Sequence, residues 1–274
     1  MDPRVPEPPD SPRLFRPRGV GEILAHAFQI YRMHWRNLFA LVAIIVIPLS
    51  ILQVVLTDLV IGDTFDTTTT VNGRVEVTGS LGAAVLGSLA VAVVSVLMWA
   101  ILTGAITRAA AGTFLGRDLD IAQSYRFGLA RFWSIVLVGL LAGLAIGAGF
   151  VLLVIPGFFI LTRLTCTLPA LVIEDRRGTQ ALSRSWNLVK DFGWPVFGTI
   201  IVAGIITGLV GGILTSPFQD NTALRIVGQS LASIVTMPYT ALVGILIYLD
   251  LRVRKERYGP EDLERDLART TMAP

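Results

Sequence analysis

The sequence predicts an all-α integral membrane bundle of about six transmembrane helices, with three interfacial amphipathic helices and one small β-hairpin near 67–78. Three observations carry that prediction. Hydrophobic residues make up 53% of the chain and charged residues 16%, too few to give a fold of 274 residues a polar skin. The apolar residues gather in six runs, near 38–60, 81–107, 134–155, 157–173, 195–215 and 226–250. Each is close to the roughly 20 residues that cross a bilayer. Arginine and lysine alternate between the flanks: twenty of 23 fall on one side and two (Arg74, Arg225) on the other, with Arg163 inside a run. That bias places the basic loops and both termini in the cytoplasm.

Residues 1–19 are rich in proline and charge and are expected to form a disordered tail. No cleavable leader is visible, so the first run is expected to act as an uncleaved anchor. From Val20, the residues Leu24, Phe28, Tyr31 and Trp35 share one helical face, the pattern of an interfacial helix. Between the first two runs, Thr-Val-rich stretches around Asn72-Gly73 suit an extracytoplasmic hairpin. A disordered polar loop is the alternative. Pro156-Gly157 is expected to separate the third and fourth runs. Residues 258–274 read as a polar cytoplasmic tail.

The segments before the odd-numbered runs look alike: AHAFQIYRMHWRNLFALV, IAQSYRFGLARFWSIVLV and ALSRSWNLVKDFGWPVFG. Each spaces two aromatic residues seven or eight apart (Phe28 and Trp35, Tyr125 and Phe132 or Trp133, Trp186 and Trp194), with basic residues beside them. Three repeated units follow, each an amphipathic helix and a two-span hairpin. Convergent pressure on cytoplasmic flanks is the alternative origin. The basic and aromatic residues Arg32, Trp35, Arg36, Arg126, Arg131, Arg184, Trp186 and Lys190 are candidate contacts for anionic lipid headgroups.

Gly139, Gly143 and Gly147, and Gly204, Gly208 and Gly212, recur every four residues and are expected to pack helices within the bundle. A homodimer face is the sharper alternative. Pro48, Pro169 and Pro238 interrupt spans and either kink them or line a transport path. Arg163 is the one cation inside a run. It either snorkels or pairs within the bundle, with Asp58 as a partner, or binds an anionic solute. Glu174 and Asp175 with the arginines after them form a helix-end charge cluster.

The lone Cys166 excludes an intrachain disulfide or cysteine zinc site, and His26 and His34 lack ligand partners at metal spacing. No catalytic or nucleotide fingerprint appears, and no basic domain suggests nucleic acid. No cofactor is expected, and the chain reads as non-enzymatic.

The stretches RPRGVGEILAHAFQIYRMHWRNLF, TRAAAGTFLGRDLDIAQSY, LPALVIEDRRGTQALSRSWNLVKDFGW and LIYLDLRVRKE resemble a bacterial family of polytopic membrane proteins named for the glycerophosphoryl diester phosphodiesterase membrane domain. The resemblance covers most of residues 17–257. It implies the membrane module alone, without the soluble catalytic barrel, in the bacterial cytoplasmic membrane, and supplies no functional residue. Two readings follow: a scaffold or lipid-interacting module, with lipid, membrane-protein or self partners, or a small permease for a lipid-like or anionic solute. A polar mid-membrane cavity reached by Arg163 and the hydroxyls of the last run would favour the permease.

Overall fold

The computed structural model describes residues 16–57, 68–71, 74–77, 81–114, 121–218 and 222–272. Helices dominate: α1 (Val20–Thr57), α2 (Leu81–Thr113), α3 (Ile121–Ala130), α4 (Phe132–Leu152), α5 (Val154–Leu164), α6 (Thr167–Glu174), α7 (Thr179–Val189), α8 (Gly193–Thr215), α9 (Thr222–Glu256) and α10 (Pro260–Met272). Two strands, β1 (Thr68–Val71) and β2 (Arg74–Val77), pair antiparallel with Thr68 opposite Val77 and Val71 opposite Arg74. The intervening 72–73 lie outside the described residues.

Among the described residues, five helical segments are long and apolar enough to cross a membrane: Val20–Leu52, Phe132–Leu152, Val154–Glu174, Gly193–Phe218 and Leu224–Glu256. Their outer faces carry large exposed apolar side chains, among them Leu144 on α4 and Leu209 and Ile213 on α8. In water such faces would be costly, and in hydrocarbon they are at home. α1, α8 and α9 pack together around a core that includes Leu38, Leu242, Ile245 and Tyr248. α2 joins them through Leu102, Ala105 and Ile106 against Leu41 and Val42.

The three segments before the odd-numbered runs end in the same bend. His34 (φ −113°, ψ 16°), Arg131 (φ −103°, ψ 9°) and Phe192 (φ −121°, ψ 26°) all leave helical geometry for the bridge region. Each follows the first aromatic residue of its segment (Phe28, Tyr125, Trp186) by six positions. The bend redirects the chain from a short helical segment into a long apolar one.

The turn between α4 and α5 falls at Leu153, which is extended (φ −166°, ψ 153°), and not at Pro156-Gly157. Pro156 instead sits in the first turn of α5, where its missing N–H costs no helical hydrogen bond. Gly157 serves the close approach of the two helices. A Cβ there would lie 2.5 Å from the Phe150 ring, and one at Gly149 would lie 3.0 Å from the Gly157 Cα.

The fourth apolar run is two helices, α5 and α6, broken at Thr165–Cys166. Pro169 explains the position: its ring excludes the carbonyl four residues earlier, at Thr165. The expected tails are also more ordered. Arg18 donates its N–H to Asp250 at 2.7 Å, and Arg254 donates to the Arg18 carbonyl at 2.6 Å, so residues 16–19 are fixed to α9. The rest of the N-terminal segment lies outside the described residues. The C-terminal stretch folds as α10, with Leu263 and Leu267 fully buried.

Candidate functional site

Three features stand out: a groove between α2, α6, α8 and α9, a charged cap at the end of α9, and the clamp that joins α6 to α7.

The groove has a volume of about 520 Å³. Six threonines line it: Thr103 and Thr107 of α2, Thr165 before α6, Thr207 of α8, and Thr236 and Thr240 of α9. Gly204, Gly208 and Gly244 form its floor, and Trp99, Leu168 and Met237 add apolar wall. A side chain of one carbon at any of the three glycines would meet nothing within 4 Å. Thr207 and Thr236 also border a second groove of about 400 Å³, on the side of α1, with Phe28, Tyr31 and Val210.

The hydroxyl geometry decides what this wall can hold. Thr103 donates to the Trp99 carbonyl (2.7 Å), Thr165 to Leu161 (3.0 Å), Thr207 to Ala203 (2.9 Å), Thr236 to Ala232 (2.8 Å) and Thr240 to Thr236 (3.0 Å). Five hydroxyl protons are thus spent on the carbonyls one helical turn back. The wall offers methyl groups and acceptor lone pairs. Among the described residues, no lysine or arginine lines it. Thr107 alone of the six makes no such hydroxyl–carbonyl bond, so an anion finds little donation there, while a hydrocarbon chain finds matching surface.

The cap gathers where α6, α7, α9 and α10 meet. With 35 residues, α9 is about 52 Å long, more than the roughly 30 Å of bilayer hydrocarbon, so its charged end projects beyond the apolar zone. Glu174, at the end of α6, accepts from Tyr248 (2.6 Å) and from Arg184 (2.8 and 2.9 Å). Arg184 reaches Glu256 at 2.6 Å. Burial opposes the charge of Arg184, but hydrogen bonds to Glu256 and Glu174 outweigh it and hold its pKa above the ordinary value. Arg252 pairs with Glu256 and Asp266 at 2.8 Å each and lies 3.6 Å from the centre of the Tyr258 ring. Tyr258 donates to Asp266 at 2.9 Å. Burial raises the Tyr258 phenol and Asp266 adds to that, against the opposing pull of Arg252.

The clamp is Ser185 of α7, with no exposed surface. Its hydroxyl donates to the Arg163 carbonyl (2.7 Å) and accepts the Cys166 N–H (3.0 Å), bridging the break before α6. Ser185→Ala strands a buried N–H and is expected to cost about 1–3 kcal/mol. The measurement is the temperature at which the buried Cys166 thiol becomes reactive in detergent; an unchanged temperature would refute the clamp. Nothing in the sequence around Ser185 marked it beyond its place beside Arg184 on an amphipathic helix.

The structure redistributes the residues singled out from sequence. Arg32, Trp35, Arg36, Arg126, Trp186 and Lys190 are exposed. Arg131 and Arg184 are not free for headgroups: Arg131 keeps 3% of its side-chain exposure and pairs with Asp175 at 2.8 Å, and Arg184 belongs to the cap. Burial raises the Asp175 carboxyl pKa. Asp58 lies outside the described residues. Arg163 does not enter the groove; its guanidinium stacks on Phe159 and Trp186. Of the six spaced glycines, only Gly139 has a neighbour in reach, the Trp99 ring at 3.2 Å. Among the described residues, a Cβ at Gly143, Gly147, Gly204, Gly208 or Gly212 would meet nothing within 4 Å.

A family model described as a domain of unknown function (DUF7847) matches residues 36–250. The chain belongs to the DUF7847 family. No curated protein and no solved structure matches it. The DUF7847 region begins just past the His34 bend and ends at Asp250. It therefore contains every residue that lines the larger groove. Arg252, Glu256, Tyr258 and Asp266 of the cap lie beyond it, as does all of α10.

Proposed function

We propose that this DUF7847 protein is a non-enzymatic, lipid-interacting module of the bacterial cytoplasmic membrane. In this reading α2 supplies a sixth crossing, since it carries the apolar run 81–107. Both termini and the bent amphipathic helices face the cytoplasm, and the β1–β2 pair faces the other side. The shared bend supports three repeated units, and the resemblance to the phosphodiesterase membrane domain fits a module without catalysis.

One observation carries the reading: a groove at mid-length of α8 and α9, walled by methyls and by six threonine hydroxyls, five of which have already spent their protons. Such a wall suits a lipid acyl chain. The exposed Arg32, Arg36, Arg126 and Lys190, with Trp35, sit on the amphipathic segments, where they suit anionic headgroups.

The test fills the groove. Gly204→Leu and Gly244→Leu project into open space, so the bundle has room for them. Native mass spectrometry of the purified full chain is expected to show tightly held phospholipid on the wild type and its loss from both variants. Equal lipid retention by the variants would refute the groove as its seat. A permease for a lipid-like solute is the second reading. The smaller groove favours it, because Thr207 of α8 and Thr236 of α9 border both grooves. Movement of labelled lipid across proteoliposomes, abolished by the same variants, would select this second reading.

A further inference from the structure

Arg163 differs from the other half-buried or buried cations of the α5–α7–α9 region. Arg131, Arg184, Arg252, Arg254 and Lys255 each hold a carboxylate within 4.0 Å. Arg163 makes no such pair among the described residues. Its guanidinium carbon lies 4.9 Å from the centre of the Phe159 ring and 5.5 Å from that of Trp186. Nε and Nη1 are enclosed and have no hydrogen-bond partner, whereas Nη2 is not enclosed. Aromatic faces stabilise the cation, but they satisfy none of its in-plane donors. Nη2, the nitrogen left open, is where an acceptor from outside the chain can meet the cation.

The surroundings indicate what that acceptor is. Trp186 and Phe159 are 39% and 50% exposed, so the cage opens on the apolar surface. Lys190 follows Trp186 by one helical turn and is exposed. Asp191 pairs with Lys255 at 2.6 Å, which chiefly lowers its carboxyl pKa, with smaller pulls from Lys190 and Arg163, and it makes no salt bridge to Arg163 among the described residues. A guanidinium with one open nitrogen, Nη2, beside an aromatic wall and near a second cation, matches a single phosphate oxygen.

We propose that Arg163, walled by Phe159 and Trp186 and assisted by Lys190, binds the phosphodiester of a phospholipid headgroup. The shared chemistry is phosphate, and the lipid is the source because the cage opens where α5 is apolar and exposed. This site is separate from the threonine groove and does not depend on it.

The full chain in maltoside detergent is titrated calorimetrically with dihexanoylphosphatidylglycerol, dihexanoylglycerol and inorganic phosphate. Saturable binding of the phosphatidylglycerol is expected, with none for the diacylglycerol and at least about tenfold weaker binding of inorganic phosphate. Arg163→Gln should weaken the phosphatidylglycerol by at least about tenfold, the loss of one charge-assisted hydrogen bond. Arg163→Lys should weaken it less, since a point charge remains. Protection of the Cys166 thiol in both variants shows that the fold survives. Unchanged affinity in a folded Arg163→Gln overturns the site. Inorganic phosphate that binds as tightly as the lipid overturns the lipid source. The groove variants should retain this binding, so failure here leaves the groove reading intact, and the reverse holds too.

Discussion

Glu174→Gln is expected to lower the unfolding free energy by about 3 kcal/mol, the lower end of what breaking a buried ion pair costs. The substitution keeps shape and removes charge. Glu174 retains 9% of its side-chain exposure and receives both Tyr248 and Arg184. Without the carboxylate, Arg184 keeps Glu256, but α6 loses its main polar tie to α7 and α9. Arg184 is 22% exposed, which lets water recover part of the loss and keeps the figure at the low end. Thermal unfolding in detergent, followed by exposure of Cys166, measures it. A variant that unfolds with the wild type would show that the cap is ornamental to stability. Glu174→Ala should fall further, because it also removes packing.

Removing the chain after Tyr258 is the second large effect. α10 buries Leu263 and Leu267 completely, each contributing about 2 kcal/mol by area, so about 4 kcal/mol is lost before any polar contact is counted. Asp266 leaves with the helix, taking acceptors from Arg252 and Tyr258, and the Leu267 carbonyl leaves Arg108. The truncated chain should unfold at clearly lower temperature in the same assay. A double substitution, Leu263→Ser with Leu267→Ser, should reproduce most of the loss in the full-length chain. If the truncated chain matches the intact one, α10 is a passive appendage. The part before α10 would then be the whole stable unit.

The apolar runs were legible because a bilayer demands continuous hydrophobic length, and five of them appear as helical segments of spanning character. The bends were partly legible, since the aromatic spacing that precedes them is in the sequence, although the backbone angles are not. α10 escaped a composition-based reading. Yet its signals were present: Pro260 at the first helical position, Glu261 and Asp262 in the first turn, and Leu263 and Leu267 four apart. A short stripe of two leucines among charges looks like a soluble tail unless a partner surface is known. The spaced glycines divide: Gly139 meets the Trp99 ring, whereas others border space among the described residues. Small residues permit close approach, but permission does not supply a neighbour, and at Gly204 and Gly208 the space beside them is left as groove. The break at Thr165–Cys166 followed from Pro169, whereas the serine that mends it comes from a different helix and left no local mark.

The three bends at His34, Arg131 and Phe192 have a consequence for how the chain can vary. None is a glycine and all have negative φ, so identity at the corner is free to drift. What cannot drift is distance. Inserting one residue between Phe28 and His34 would swing the ring by about 100° around its helix axis and take it off the face it now occupies. The spacing behaves as a ruler, and length changes in these segments should be far less tolerated than exchanges of letter.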